Sequence, residues 1–329
     1  MPAKHQRTRV QHYVPQLYLR GFATPSQKLF CYDKLQDTSY PTTIYAAAQE
    51  SFFYEVPPGT TTEPVPVNAI ERKLGELETE WAPRLSALIA SADADNITHE
   101  QLAYFSPFVA LQWMRTRTHR DTLHAALNQL GQTHANDLIK LNFPGEDLKV
   151  RVTFPETGMP AIQAEQMLDP DVILQMARDL DRHIWVIGIN NTGRPLYTSD
   201  HPVVRRANRK DGDRWLVGVR DLGIEFAFPL DARHLLLILE RGHFKDWKSL
   251  DSRTAPLTLD QVADYNQLQV MKSGRWVYCL HDEFEIARTA CIADPRIRDP
   301  NRPRVNVETT PMVGVGDTMR NYVMVTALE

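Results

Sequence analysis

Arg182-His-Ile-Trp-Val-Ile-Gly-Ile189 is the stretch at which the chain changes texture. It is short, apolar and strand-like. Pro195–Ser199, Trp215–Val219, Ile224–Phe228 and His234–Leu239 repeat the pattern with turn residues between them, as an antiparallel sheet would. A helix over about 258–272 and a strand over Gly274–Cys279 follow. On the N-terminal side the period is helical. Ile70, Leu74, Leu77, Trp81, Leu85 and Leu88 fall on one face of a helix over 67–91, in which Pro83 predicts a kink. Thr98-His-Glu-Gln101 reads as a capping box opening a second helix to about residue 120, interrupted by Pro107. A third runs over about 121–142, and 169–181 is also helical. Residues 57–66, with four prolines, read as a loop. Residues 143–160 read as irregular, with a strand over Leu148–Phe154.

Nearer the N-terminus, Val14–Gly21 reads as a short helix, and Lys28–Asp33 and Ser51–Val56 as strands. Helices segregated from strands predict an α+β fold, a helical hairpin or bundle packed with a mainly antiparallel β-sheet. We read 1–329 as a single large domain, with a helical part at about 67–142 and a β-rich part at about 182–285.

A hydrophobic fraction of 43% is enough for a sizeable core and excludes a disordered chain. Net charge is −4, so the whole molecule does not attract nucleic acid. Basic residues cluster locally, however: Lys4, Arg7, Arg9 and Arg20; Arg115, Arg117 and Arg120; Arg205, Arg206, Arg209 and Lys210. Such patches suit an anionic partner, a nucleic acid or nucleotide. Three cysteines, no leader-like apolar run and no apolar stretch of about 20 residues predict a cytoplasmic protein without membrane contact. Dinucleotide, P-loop, zincin and serine-elbow motifs are absent.

Several polar residues could carry chemistry. His12, just before Pro15, can serve as acid, base or metal ligand, or be a buried imidazole bonded to a backbone carbonyl. Glu71 and Glu78 share a helix edge, where two carboxylates can hold a divalent metal ion or simply pair with an arginine. Gln112, Arg115 and His119 follow at i, i+3 and i+7. Arg115 can clamp a phosphate or lock to Glu71 or Glu78. Thr198-Ser-Asp200-His201-Pro202 ends a strand, where Asp200 can orient His12, ligate a metal or cap its own turn. Asn266 is a poor helix former inside a predicted helix.

Taken together, His12-Tyr-Val-Pro15-Gln-x-Tyr18-Leu-x-x-Phe22, Phe53-Tyr54, Glu71-x-x-Leu74-x-x-x-Glu78, Gln112-x-x-Arg115-Thr116, Thr198-Ser-Asp200-x-Pro202, Phe228-Pro229-Leu230, Asn266 and Arg275 resemble the bacterial family called domain of unknown function 4238. The resemblance runs from about residue 10 to about 280. It departs from the pattern at His201, where asparagine is expected, and at Arg117, where proline is expected. The resemblance implies that these residues act as a set, but supplies no reaction. Three readings follow. In the first, the protein is a hydrolase or nuclease-like enzyme acting on a phosphate-containing substrate. His12, Asp200, Glu78 and Glu71 would be catalytic, and Arg115, Gln112, Asn266, Arg275 and Tyr18 would bind substrate. In the second it binds an anion or nucleic acid without catalysis. In the third the set is a buried polar network.

Overall fold

The computed structural model describes residues 8–61, 65–211, 214–215, 217–312 and 320–327. Lys4 and Arg7 lie outside them. The elements run β1 (Val10–His12), α1 (Gln16–Leu19), β2 (Lys28–Asp33), β3 (Thr38–Thr43), β4 (Gln49–Ser51), α2 (Ala69–Asp93), α3 (His99–Met114), α4 (Arg117–Asn142), α5 (Met159–Leu168) and α6 (Pro170–Leu180). Then come β5 (Ile184–Ile189), β6 (Thr198–Ser199), β7 (Val204–Ala207), β8 (Lys210–Asp211), β9 (Arg214–Trp215), β10 (Ile224–Pro229), β11 (His234–Leu239) and β12 (Arg253–Pro256). The chain continues through α7 (Leu259–Lys272), β13 (Trp276–Cys279), α8 (Glu285–Ala293), β14 (Val305–Met312) and β15 (Arg320–Ala327). The architecture is α+β.

A five-stranded sheet of order β12-β5-β11-β10-β7 forms the centre. Its pairings are antiparallel except β12 with β5. Successive side chains of a strand point to opposite faces, and here both faces are covered. Trp185, Ile187, Phe226, Phe228, Leu236 and Ile238 join the core built with α2 and α3. Ile184, Val186, Ala227, Leu235, Leu237 and Leu239 pack instead with Val262, Tyr265 and Leu268 of α7. Double coverage is why these strands read as continuous apolar runs rather than alternating ones. A side chain at Gly188 would collide with Leu257, whose Cδ2 lies 2.6 Å from where its Cβ would stand. A four-stranded sheet, β3-β2-β13-β6, lies beside the central one. Its core includes Tyr32, Tyr197, Val277 and Phe284 together with α8.

Several elements differ from expectation, each for a local reason. The second helix stops at Met114, because Thr116 is extended and its hydroxyl accepts the His119 N–H, opening α4. Gln112, Arg115 and His119 therefore do not share one helix. Arg117 stands at the first helical position of α4, where a proline is well suited. Pro107 does not interrupt α3. It cannot donate to the Ala103 carbonyl, but Ser106 Oγ does so at 2.9 Å. The strand expected at Ser51–Val56 ends at Ser51, where Phe52 turns the chain with φ of 57°. Leu148–Phe154 forms no strand and joins no sheet, its backbone bonding instead to side chains of α4. α5 fills the stretch between the segment read as irregular, 143–160, and the helix expected from 169, to which no element was assigned.

Ser106 is 1% exposed, and truncating it leaves the part-buried Ala103 carbonyl without this bond. Ser106→Ala should cost about 1–3 kcal/mol in a urea titration. A midpoint unchanged from the parent would refute this role for the hydroxyl.

Candidate functional site

Asp200 sits at the end of β6, 5% exposed, against the turn from α7 to β13. Its Oδ1 accepts the Gly274 N–H at 2.7 Å, and its Oδ2 accepts those of Arg275 at 2.6 Å and Trp276 at 3.0 Å. A Cβ at Gly274 would lie 2.8 Å from Asp200 Oδ2, so the approach needs glycine. Ser199 Oγ donates to Gln269 at 2.8 Å, and Gln269 donates to the Pro202 carbonyl at 2.8 Å. Arg275 grips Asp33 through two bonds, at 2.8 and 2.5 Å. Asn266 is tolerated in α7 because it bonds the backbone that leads into β6. Its Oδ1 accepts the Tyr197 N–H at 2.7 Å and its Nδ2 donates to the Pro195 carbonyl at 2.9 Å. Tyr18 donates to the Pro229 carbonyl at 2.7 Å and lies 2.7 Å from the Thr198 hydroxyl.

A second cluster centres on Arg115, 2% exposed. Its guanidinium donates to Glu78 at 2.9 Å, to the Tyr54 hydroxyl at 3.3 Å and to the His12 carbonyl at 2.7 Å. Burial opposes its charge, but Tyr54 and Glu78 outweigh burial and hold its pKa above the ordinary value. The His12 ring bonds to the Tyr45 carbonyl at 3.1 Å, and burial holds its pKa down. Gln112 donates to the Tyr13 carbonyl at 3.3 Å, while its own buried oxygen has no partner. Glu71 stands beside this cluster. Burial pushes its pKa up to about 7 against the opposing pull of Arg115, and Glu78 and Glu55 add to the rise.

Thus Arg115, Glu78 and the backbone of His12 meet. Asp200, Arg275, Asn266 and Tyr18 are each tied to backbone or side-chain partners of their own. Two sizeable cavities, of about 450 and about 660 Å³, are lined by none of the nine predicted site residues. They lie side by side and share Thr122, Arg302, Pro303 and Arg304.

The smaller cavity is strongly basic. Arg205 reaches it from β7, with its guanidinium 4.8 Å from the centre of the Trp113 ring and one bond to the Val217 carbonyl. Arg302 and Arg304 reach it from the C-terminal side, and their bonds go to the carbonyls of the last turn of α7 and of neighbouring loops. Among the described residues, none of the three donates to a carboxylate. Burial lowers Arg302 and pushes Arg205 and Arg304 down to about 10. His119 and His201 face the same space. Burial pushes His119 down to about 4 and holds His201 well below its ordinary value, so both are neutral at pH 7. His201 Nδ1 lies 2.7 Å from the Thr116 hydroxyl. Asp294 and Asp299 are the acidic residues lining the space, and Asp294 is paired with Arg296. Of the expected basic run, Arg206 is committed to Glu225 and Asp264. Among the described residues no group of three or more acidic, histidine or cysteine side chains has a metal-holding arrangement, and no helix is long and apolar enough to cross a membrane. Arg302 and Arg304 were not singled out from sequence. The signal available was the basic pair around a proline in Arg302-Pro-Arg304.

Two substitutions separate these roles. Asp200→Asn keeps the size but loses the charge that holds three N–H groups, and should cost about 2–4 kcal/mol of stability. Equal stability of variant and parent would exclude that role. Glu71 has a folded-state pKa above its unfolded value of about 4.5. The folded protein therefore retains a proton that the unfolded chain loses, and this group's contribution declines as pH rises from about 4.5 to about 7. Glu71→Gln should match the parent near pH 4 and exceed it by about 1–2 kcal/mol at pH 8, allowing for its partly open side. A gain independent of pH would contradict the assignment.

A search of curated proteins and a search of solved structures return no match. The family model described as Protein of unknown function (DUF4238) matches residues 10–283, which include every residue of the Asp200 and Arg115 clusters named above. On that match, which covers most of the chain, the protein belongs to the DUF4238 family.

Proposed function

We propose that this protein binds a phosphate-bearing ligand, a nucleotide or a nucleic-acid segment, in the basic cavity, and that the motif residues build the frame that holds it. The observation that carries the reading is the trio Arg205, Arg302 and Arg304. Their side chains are half-buried, and their guanidiniums donate to carbonyls, not to carboxylates. Gathering half-buried cations that no carboxylate hydrogen-bonds is costly, and a bound phosphate would offset that cost with charge-assisted hydrogen bonds. The neutral imidazoles of His119 and His201 and the hydroxyls of Thr118 and Thr122 add polar contacts without adding charge. Binding is favoured over hydrolysis because Asp200, Arg115 and Glu78, which a hydrolytic mechanism would use, are already committed to partners inside the fold. His12, Gln112, Asn266, Arg275 and Tyr18 then serve as supports.

The test is titration of the full chain with inorganic phosphate, a nucleoside monophosphate and a short single-stranded RNA. Binding of at least one probe should weaken as salt rises, because ions compete for the guanidiniums. Arg205→Met keeps a long side chain against Trp113 while removing the charge. It should lower affinity about tenfold, equivalent to about 1.4 kcal/mol, with an unchanged melting temperature. The reading fails if none of the probes binds at millimolar concentration, or if Arg205→Met binds them as the parent does.

A further inference from the structure

His234 opens β11 with only 2% of its side chain exposed. Its Nδ1 lies 2.9 Å from both oxygens of Asp231, three residues back in the turn from β10. A carboxylate only accepts, so Nδ1 carries the hydrogen. That decides what the other nitrogen can do. In a neutral ring Nε2 is a bare lone pair, and in a charged ring it is a second donor. Nε2 is buried and has no hydrogen-bond partner, yet a carboxylate oxygen, Asp93 Oδ1 in the last turn of α2, lies 3.4 Å from it. A lone pair against that oxygen repels it, whereas an N–H attracts it.

The surroundings favour the charged ring. Asp231 also accepts the backbone N–H groups of Arg233 and His234, at 2.7 and 2.8 Å, which fix its position. α2 ends on Asp93 with no basic residue in its last turn, although the carbonyl end of a helix is itself partly negative. Compensating cations come from the β10–β11 turn, where Arg233 stands 3.5 Å from Asp93 with His234 beside it. Asp95, just beyond α2, accepts the Thr254 hydroxyl of β12. On the neighbouring strand β5, Ile189 lies opposite His234, and neither it nor the following Asn190 titrates. Burial opposes the imidazolium, but Asp231 and Asp93 outweigh burial and Arg233 and hold its pKa above the ordinary value.

We propose that His234 is a proton-operated latch between α2 and the central sheet: charged, it bridges Asp231 and Asp93 and holds the last turn of α2 on the β10–β11 turn; neutral, it sets a lone pair against Asp93 and lets the end of α2 loosen. Folding favours the charged form, so the latch is shut below the unfolded-state pKa of about 6.5 and opens as pH rises through the higher folded value.

Imidazole nitrogen-15 shifts of the full chain, followed from about pH 5 to about pH 9, test the proposal. His234 should titrate above about 6.5 and keep its hydrogen on Nδ1 when neutral. Amide exchange protection at Ala92 and Asp93, corrected for intrinsic exchange, should fall about tenfold across that titration, the effect of losing one charge-assisted hydrogen bond. Asp93→Asn supplies an amide that can donate to the neutral ring, so the contact no longer needs a proton. The Asp93 side chain is 47% exposed, and the variant should fold as the parent does while its protection becomes independent of the titration. A His234 that is neutral at pH 6 would overturn the proposal, as would protection that does not follow its titration. So would a pH dependence that survives in Asp93→Asn.

Discussion

One carboxylate sets the geometry on which much else rests. Asp200 takes three consecutive N–H groups, those of Gly274, Arg275 and Trp276, and so dictates how the chain leaves α7 and enters β13. β13 is an inner strand that pairs with β2 on one side and β6 on the other. α7 covers one face of the central sheet. A buried anion with this many donors is well compensated, whereas the same anion with one donor missing would be costly. The requirement explains the glycine at 274 and orients Arg275 toward Asp33.

The same turn gathers positive charge. The last carbonyls of a helix carry partial negative charge and have no partners within the helix. Here Lys34 donates to the Val270 and Ser273 carbonyls, Arg302 to those of Met271 and Ser273, and Arg304 to those of Lys272 and Ser273. Carbonyl dipoles satisfy hydrogen bonds without cancelling a full charge. Two of these three cations also line the basic cavity, so the field in the cavity is a by-product of how the helix is capped. The polar motif and the cavity are thus one construction viewed from its inner and outer sides.

Elements whose signal is local were legible in the sequence. The stripe from Ile70 to Leu88 is buried as its period demands, with Leu77 half-buried, and Thr98 with Gln101 forms both bonds of the capping box. The apolar runs at 184–189, 224–229 and 234–239 are strands of one sheet. What was illegible depends on partners far away in sequence. Thr116 ends one helix and opens the next, yet a threonine between two arginines does not announce that. Leu148–Phe154 has the composition of a strand, but its backbone bonds to His124, Asn128 and Gln132 of α4 in place of a neighbouring strand. His12, Asp200 and Asn266 could be picked out as unusual. Residue type could not tell whether their hydrogen-bonding capacity faces solvent or backbone.

The capping of α7 also has a bearing on synthesis. Lys34 is made early, but its carbonyl partners at Val270 and Ser273 are separated from it by 236 and 239 residues. At roughly 5–20 residues per second, the amine waits on the order of ten to fifty seconds for them. During that interval it must remain hydrated, so the turn after β2 that carries it cannot seal. The four-stranded sheet is therefore obliged to close late, after the central sheet's own strands have all emerged from the ribosome.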